Sequence, residues 1–247
     1  MIKHIIFFIM FTISCFADGA FYINSSNDLK IEDVKNNKIE DIQTVVGKTY
    51  LVHTNNLSFT TTTNGESSIL FNNNITLKLN GDTKVIVDSF DQTILNIDNQ
   101  PETIKYTDDN LQLSLSQGEL ELVVNGNTVI GTMMTSVIPK PGKYFIKSDE
   151  KSTTVAVIDG ETKLLDTLSK KEITLKNGEL VVIVEAPKFT GRQGEVLRKQ
   201  HLFNVRKMDE EESKFFSSVL SNTQQQNNNI RFIVIDKRIV GIKINNP

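Results

Sequence analysis

Ile75-Thr76-Leu77-Lys78-Leu79 alternates apolar and polar side chains. On a strand this puts Ile75, Leu77 and Leu79 on one face and Thr76 and Lys78 on the other. Short apolar or alternating runs of the same kind recur at 50–52, 68–71, 85–87, 111–115, 120–124, 155–158, 162–165, 173–175 and 180–184. Polar clusters such as Asn72-Asn73-Asn74 and Asn80-Gly81-Asp82 separate them. Strands this closely spaced, with no helical pattern between them, predict an all-β body of sandwich, barrel or solenoid type rather than βαβ units.

Glycine placement fits that rhythm. Five of the thirteen glycines precede a glutamate, at Gly65, Gly118, Gly160, Gly178 and Gly194. Asp159-Gly160 and Asn177-Gly178 fall between adjacent strand-like runs, where a hairpin turn with positive φ is expected and glycine supplies it with least strain. Glu119, Glu161 and Glu179 are then turn-adjacent strand residues with no catalytic role. A carboxylate pair working on a glycosidic bond must converge to about 5–10 Å, and nothing in their spacing implies convergence.

The pattern changes beyond residue 186. Asp209-Glu210-Glu211-Glu212 offers an Asp N-cap with Glu at N3, and Phe215, Phe216, Val219 and Leu220 follow on one side. The spacing predicts an amphipathic helix over 208–222. Its apolar face must bury against something. Gln224-Gln225-Gln226-Asn227-Asn228-Asn229 reads as a polar loop. The apolar runs at 230–235 and 239–244 flank Asp236-Lys237-Arg238 as a hairpin.

The other end is different again. Lys3 and His4, the run Ile5-Ile6-Phe7-Phe8-Ile9-Met10-Phe11 and the small residue Ala17 have the order of a secretory signal, with cleavage expected before Asp18. The apolar run is short of the roughly 20 residues a membrane span needs. Thr12-Ile13-Ser14-Cys15 is also similar to a lipoprotein processing site, so lipidation at Cys15 stands beside ordinary secretion. Cys15 is the one cysteine, so cleavage after Ala17 leaves a chain without thiols. It also removes Lys3 from the 27 Lys and Arg, leaving 26 against 30 Asp and Glu, a net charge of −4. So mild an acidic balance gives no nucleic-acid footprint. The expected organisation is a signal peptide at 1–17, a polar lead-in with at most one short helix or strand at 18–44, a β domain at 45–186 and a helix-plus-hairpin tail at 187–247.

The order of several motifs resembles the FecR-type domain of bacterial envelope proteins. They are Val46-Gly47-Lys48-Thr49-Tyr50-Leu51-Val52, Ser67-Ser68-Ile69-Leu70-Phe71 leading into Ile75-Thr76-Leu77-Lys78-Leu79, and Gly118-Glu119-Leu120-Glu121-Leu122. Gly142-Lys143-Tyr144-Phe145-Ile146, Thr154-Val155-Ala156-Val157-Ile158-Asp159-Gly160 and Leu175-Lys176-Asn177-Gly178-Glu179 follow. The resemblance covers somewhat more than half of the chain. It implies a β-solenoid-like or sandwich body of short strands, used for signalling or scaffolding through an envelope protein partner, to which the pattern beyond residue 186 adds a small C-terminal α+β tail. It implies no catalytic centre and no cofactor.

Candidate chemistry is sparse. His53 and His201 remain after processing, far apart and without a His or Cys at metal-ligand spacing, so both are expected as single surface or partly buried residues and no metal is expected. Asp108-Asp109 and the stretch 88–91 do not fit a twelve-residue calcium loop and read as solvated loop charges. Thr60-Thr61-Thr62-Thr63 reads as a polar strand edge, since consecutive strand residues face opposite ways. There is no phosphate-binding loop, nucleophile elbow or dinucleotide fingerprint. A surface carbohydrate-binding or adhesive module is the alternative function, but the chain has no Trp and four Tyr to stack on sugar rings.

Overall fold

The structure is a computed structural model. It describes residues 19–34, 49–52, 56–71, 75–91, 94–96, 104–106, 110–188, 198–227, 230–235 and 238–244. The strands are β1 (Gly19–Asp33), β2 (Thr49–Val52), β3 (Leu57–Phe71), β4 (Ile75–Asp91), β5 (Ile94–Asn96), β6 (Ile104–Tyr106), β7 (Asn110–Val124), β8 (Asn127–Gly131) and β9 (Thr135–Pro139). They continue with β10 (Gly142–Ser148), β11 (Ser152–Asp159), β12 (Glu161–Asp166), β13 (Glu172–Lys176), β14 (Glu179–Lys188), β15 (Arg198–Lys207), β16 (Ile230–Ile235) and β17 (Arg238–Ile244). One helix, α1 (Glu210–Asn227), separates β15 from the β16–β17 hairpin. The all-β body with a helix-and-hairpin tail is as expected.

Thirteen strands form one sheet, and β7 shows how a single sheet encloses a core. Its first five residues pair in parallel with β8, Asn110 beside Asn127, although only two residues separate Val124 from Asn127. A straight strand would hold Asn110 and Val124 roughly 46 Å apart, whereas the link between β7 and β8 reaches about 10 Å. β7 therefore doubles back on itself. The bend is at Gly118, whose φ is +99°, and a Cβ there would stand 2.4 Å from the Cα of Thr83. β4 turns beside it, its register with β7 jumping from Asn80/Glu119 to Lys84/Gln117. β3 and β1 turn at the same level, between Thr60 and Glu66 and between Asn27 and Leu29. The buried Thr83 ties the corner together. Its N–H donates to Thr61 Oγ1 at 3.2 Å, and its Oγ1 accepts from the Glu119 N–H at 2.8 Å.

The sheet thus faces itself. One layer holds the 67–71, 75–80 and 119–124 halves of β3, β4 and β7, followed by β10, β11, β14 and β15. The other holds the 57–60, 84–91 and 110–117 halves, followed by β8, β9, β12 and β13. Between them lies a continuous apolar core. Phe21 and Phe71 of the first layer meet Phe59 and Phe90 of the second, with ring centroids 5.2 Å apart for Phe21–Phe59 and 5.5 Å for Phe71–Phe90. The segments at 67–71, 75–79, 118–122, 142–146 and 154–160, which carry the family resemblance, include neighbouring strands of the first layer.

Several boundaries depart from the sequence reading, and the corner explains most of them. Asn80-Gly81-Asp82 and Gln117-Gly118 do not separate strands; β4 and β7 run through them. Gly160 and Gly178 have positive φ as expected, +94° and +79°, but neither closes a hairpin. β11 pairs with β10 and β14, and β12 with β9 and β13. These links, like Lys140-Pro141, cross between layers, a step of about 10 Å that one or two residues can span. Tyr144 clasps two of the crossings, its buried hydroxyl shared between the carbonyls of Lys140 at 2.6 Å and Glu161 at 2.9 Å.

The polar lead-in supplies the fifteen-residue strand β1, with Phe21, Ile23, Leu29 and Ile31 buried. Asn24-Ser25-Ser26-Asn27-Asp28 interrupts its two apolar clusters in the sequence, which hid the strand. The threonine run is no edge, because β3 is flanked by β1 and β4 and Thr61 is buried at the corner. Residues 88–91 lie in β4 rather than in a loop. β15 belongs to the body sheet, and α1 runs on through Gln224-Gln225-Gln226, residues with good helix propensity. The capping box forms as expected: the Glu212 N–H donates to Asp209 Oδ1 at 2.8 Å, and the Asp209 N–H to Glu212 Oε2 at 3.0 Å. His53 and Asp108-Asp109 lie outside the described residues.

Candidate functional site

Strand register lays a row of residues across the outer face of the first layer. Lys78 of β4 stands opposite Glu121 of β7, Glu121 opposite Phe145 of β10, and Phe145 opposite Ala156 of β11. Leu180 of β14 and Arg206 of β15 continue it. The row is charged at both ends and apolar in the middle, and α1 lies over it. Phe216 packs with Ala156 and Leu180, its ring 4.9 Å from that of Phe145. Glu212 accepts both guanidinium nitrogens of Arg206, at 2.7 and 2.6 Å, which holds its carboxyl down at about 2. Phe216 is thus a buried residue of the apolar helix face, whereas Phe215 remains 60% exposed.

Beside Phe145, Phe215 and Phe216 is a cavity of about 180 Å³, whose other wall is Lys78, Asn80, Glu119 and Glu121. The Glu121 side chain is only 3% exposed. Its Oε1 accepts from Asn80 Nδ2 at 2.7 Å and lies 3.5 Å from Lys78 Nζ, while its Oε2 has no partner. Burial pushes the Glu121 carboxyl up, and Asn80 and Lys78 offset only part of that. Lys78 also meets Glu66 at 2.8 Å. Desolvation pulls the ammonium down, but its two carboxylates outweigh this and hold it above its usual range.

A second polar group closes the open ends of the layers. His201 of β15 points inward to Asp166 at the end of β12, Nδ1 to Oδ1 at 2.5 Å, with both side chains nearly fully buried. Asp166 also accepts from the N–H groups of Leu168 at 3.3 Å and Ser169 at 3.0 Å, and from the Ser169 hydroxyl. Burial pushes its carboxyl up, but these donors prevail and hold it at about 2. His201, expected as a single residue, is therefore a staple between layers. The three residue types of a hydrolytic triad meet here in an order that activates nothing. The serine hydroxyl is spent on the carboxylate, whereas a nucleophile must give its proton to the imidazole.

Glu119, Glu161 and Glu179 each have a separate partner. Glu119 pairs with Lys147 and Glu161 with Lys140, each at 2.7 Å, and Glu179 accepts the Lys176 N–H at 2.8 Å. Among the described residues, no group of three His, Cys, Asp or Glu could hold a metal ion, and no helix is long and apolar enough to cross a membrane.

Sequence reasoning missed Glu121 and Lys78 because each is the outward residue of an alternating strand, a position ordinarily solvated. The available signal was the apolar helix, which had to cover some outer face. Asp166 and His201 are 35 residues apart, and nothing local marks them as partners.

No protein-family model matches the chain, and no curated protein matches it. Two crystal structures of a candidate anti-sigma factor from Parabacteroides distasonis match the chain weakly. One is 14% identical with a TM-score of 0.44, the other 13% identical with a TM-score of 0.42, and each match covers 77% of this chain and 85% of the other.

Proposed function

We propose that the chain is an exported, non-catalytic protein of the bacterial envelope that acts in signalling or scaffolding by binding another protein along β15. The observation that carries this reading is the sheet edge. Among the described residues, β15 is hydrogen-bonded to β14 alone. Its ten residues therefore present one row of backbone groups to an incoming strand, the geometry of strand addition. Leu202 and Val205 on this strand and Leu168 in the loop of the Asp166 staple are exposed. Lys199 and Arg206 on this strand already hold Glu185 at 3.0 Å and Glu212 at 2.6 Å, so the exposed apolar residues rather than charge select the segment that adds. The ordered FecR-type motifs support the same class of role. The wiring of Asp166, His201 and Ser169 supports a structural rather than a catalytic use of those groups.

The test uses the exported chain as bait in envelope extract, beside a Leu202→Asp, Val205→Asp double variant whose substitutions are on exposed positions. A partner retained by the wild type and reduced at least about tenfold by the folded variant supports the reading. Turnover in a broad hydrolase screen that Asp166→Asn abolishes without unfolding would overturn it, as would recovery of equal partner by both forms. Export is read by mass spectrometry, which should find a chain beginning at Asp18 or a lipid on Cys15. An intact Met1 in the cytoplasmic fraction refutes it.

A further inference from the structure

We propose that the cavity between α1 and the first layer binds a primary ammonium group carried on a short apolar stem. Charge points to a cation. Among the residues that line the cavity Lys78 faces two carboxylates, Glu119 and Glu121, so the lining holds one negative charge in excess. The buried Oε2 of Glu121 has no partner, and leaving such an acceptor unpaired costs as much as a lost hydrogen bond or more. A turn of the carboxylate brings this oxygen to the cavity, where an ammonium satisfies it with one of its three donors and leaves others for Glu119 on the same wall.

The opposite wall selects the rest of the ligand. Phe145, Phe215 and Phe216 form a continuous aromatic surface, with ring centroids 4.9 Å apart for Phe145–Phe216 and 5.4 Å for Phe215–Phe216. Ring faces attract ammonium groups and bury methylenes, but they cannot replace the water shell of a bare metal ion. A volume of about 180 Å³ holds a chain of four or five heavy atoms, and the open side leaves room for whatever carries it. A free alkylamine and the lysine side chain of another protein share this chemistry.

The experiment is calorimetric titration of the full chain with n-butylammonium chloride and, separately, with Nα-acetyl-lysine N-methylamide. Butanol and butyrate serve as matched neutral and anionic controls. Saturable one-to-one binding of n-butylammonium in the millimolar range or tighter is expected, with neither control binding. Glu121→Gln should weaken it at least about tenfold. Phe215→Ala, at an exposed position, should weaken it about threefold with the melting curve unchanged, and it decides the matter if the Glu121 variant does not fold. Tighter binding of the lysine derivative than of n-butylammonium identifies a protein lysine as the occupant, and the reverse order a free amine. Absence of saturable n-butylammonium binding, equal binding of butanol, or full affinity in both variants overturns the proposal. It is independent of the β15 edge, so Leu202→Asp, Val205→Asp should leave amine binding intact.

Discussion

Replacing Asp166 by Asn keeps the size and planarity of the side chain that staples β12 to β15 and removes its charge. The folded carboxyl titrates at about 2 against a usual 3.8. Each pKa unit is worth about 1.4 kcal/mol, so the ionised form contributes on the order of 2 kcal/mol to folding. A depressed carboxyl stabilises fully above its unfolded value and loses that contribution as pH falls towards its folded one. Wild type should therefore exceed Asp166→Asn by about 2 kcal/mol at pH 7, and the gap should narrow between pH 4 and pH 2. Urea unfolding of both proteins across that range measures it, the difference cancelling the other carboxylates that titrate in common. A gap already absent at pH 7, or one unchanged at pH 2, would refute the assignment of Asp166 as an ionised staple.

Two further substitutions probe the crossings between layers. Gly160→Val places a Cβ 2.7 Å from the Pro141 carbonyl oxygen at φ +94°, so thermal melts should show a loss of at least about 2 kcal/mol. Gly178→Ala meets nothing within 4 Å and should lose only about 1 kcal/mol of backbone strain; equal losses would mean that the crowding at Gly160 is misjudged. Tyr144→Phe removes the hydroxyl shared by Lys140 and Glu161 and should cost about 1–2 kcal/mol in urea unfolding, while an unchanged midpoint would show that water replaces the clasp.

The clearest strands of the body were legible because their inward faces are apolar: Ile75, Leu77 and Leu79, or Leu120, Leu122 and Val124, announce a buried face wherever they lie. Connectivity was not. A glycine between two apolar runs fits a hairpin, a corner within one strand or a crossing between layers equally well, and only pairing partners distant in sequence decide among them. Gly118 is a corner, Gly160 and Gly178 are crossings, and all three read alike from the chain. The capping box of α1 was visible because it is local. The cavity under α1 was not, because it arises where a tail docks on a face built by Lys78, Glu121 and Phe145 of three strands far earlier in the chain.

The corner at Gly118 and Thr83 also governs how the protein must assemble. Since β1, β3, β4 and β7 each belong to both layers, no cut along the chain yields one layer without half of the other. A slip of one residue in the pairing of β4 with β7 would set Leu77 opposite Glu121 or Val123 in the first layer and Val87 opposite Gln112 or Ser114 in the second, turning the apolar face of one of the two strands outward in both layers. An error in one layer is therefore felt in the other. Closing Asn110 onto Asn127 must wait until β7 has bent, a long-range step of the kind that makes sheet proteins slow to fold. A chain built this way should acquire its two layers in one cooperative transition, late and together.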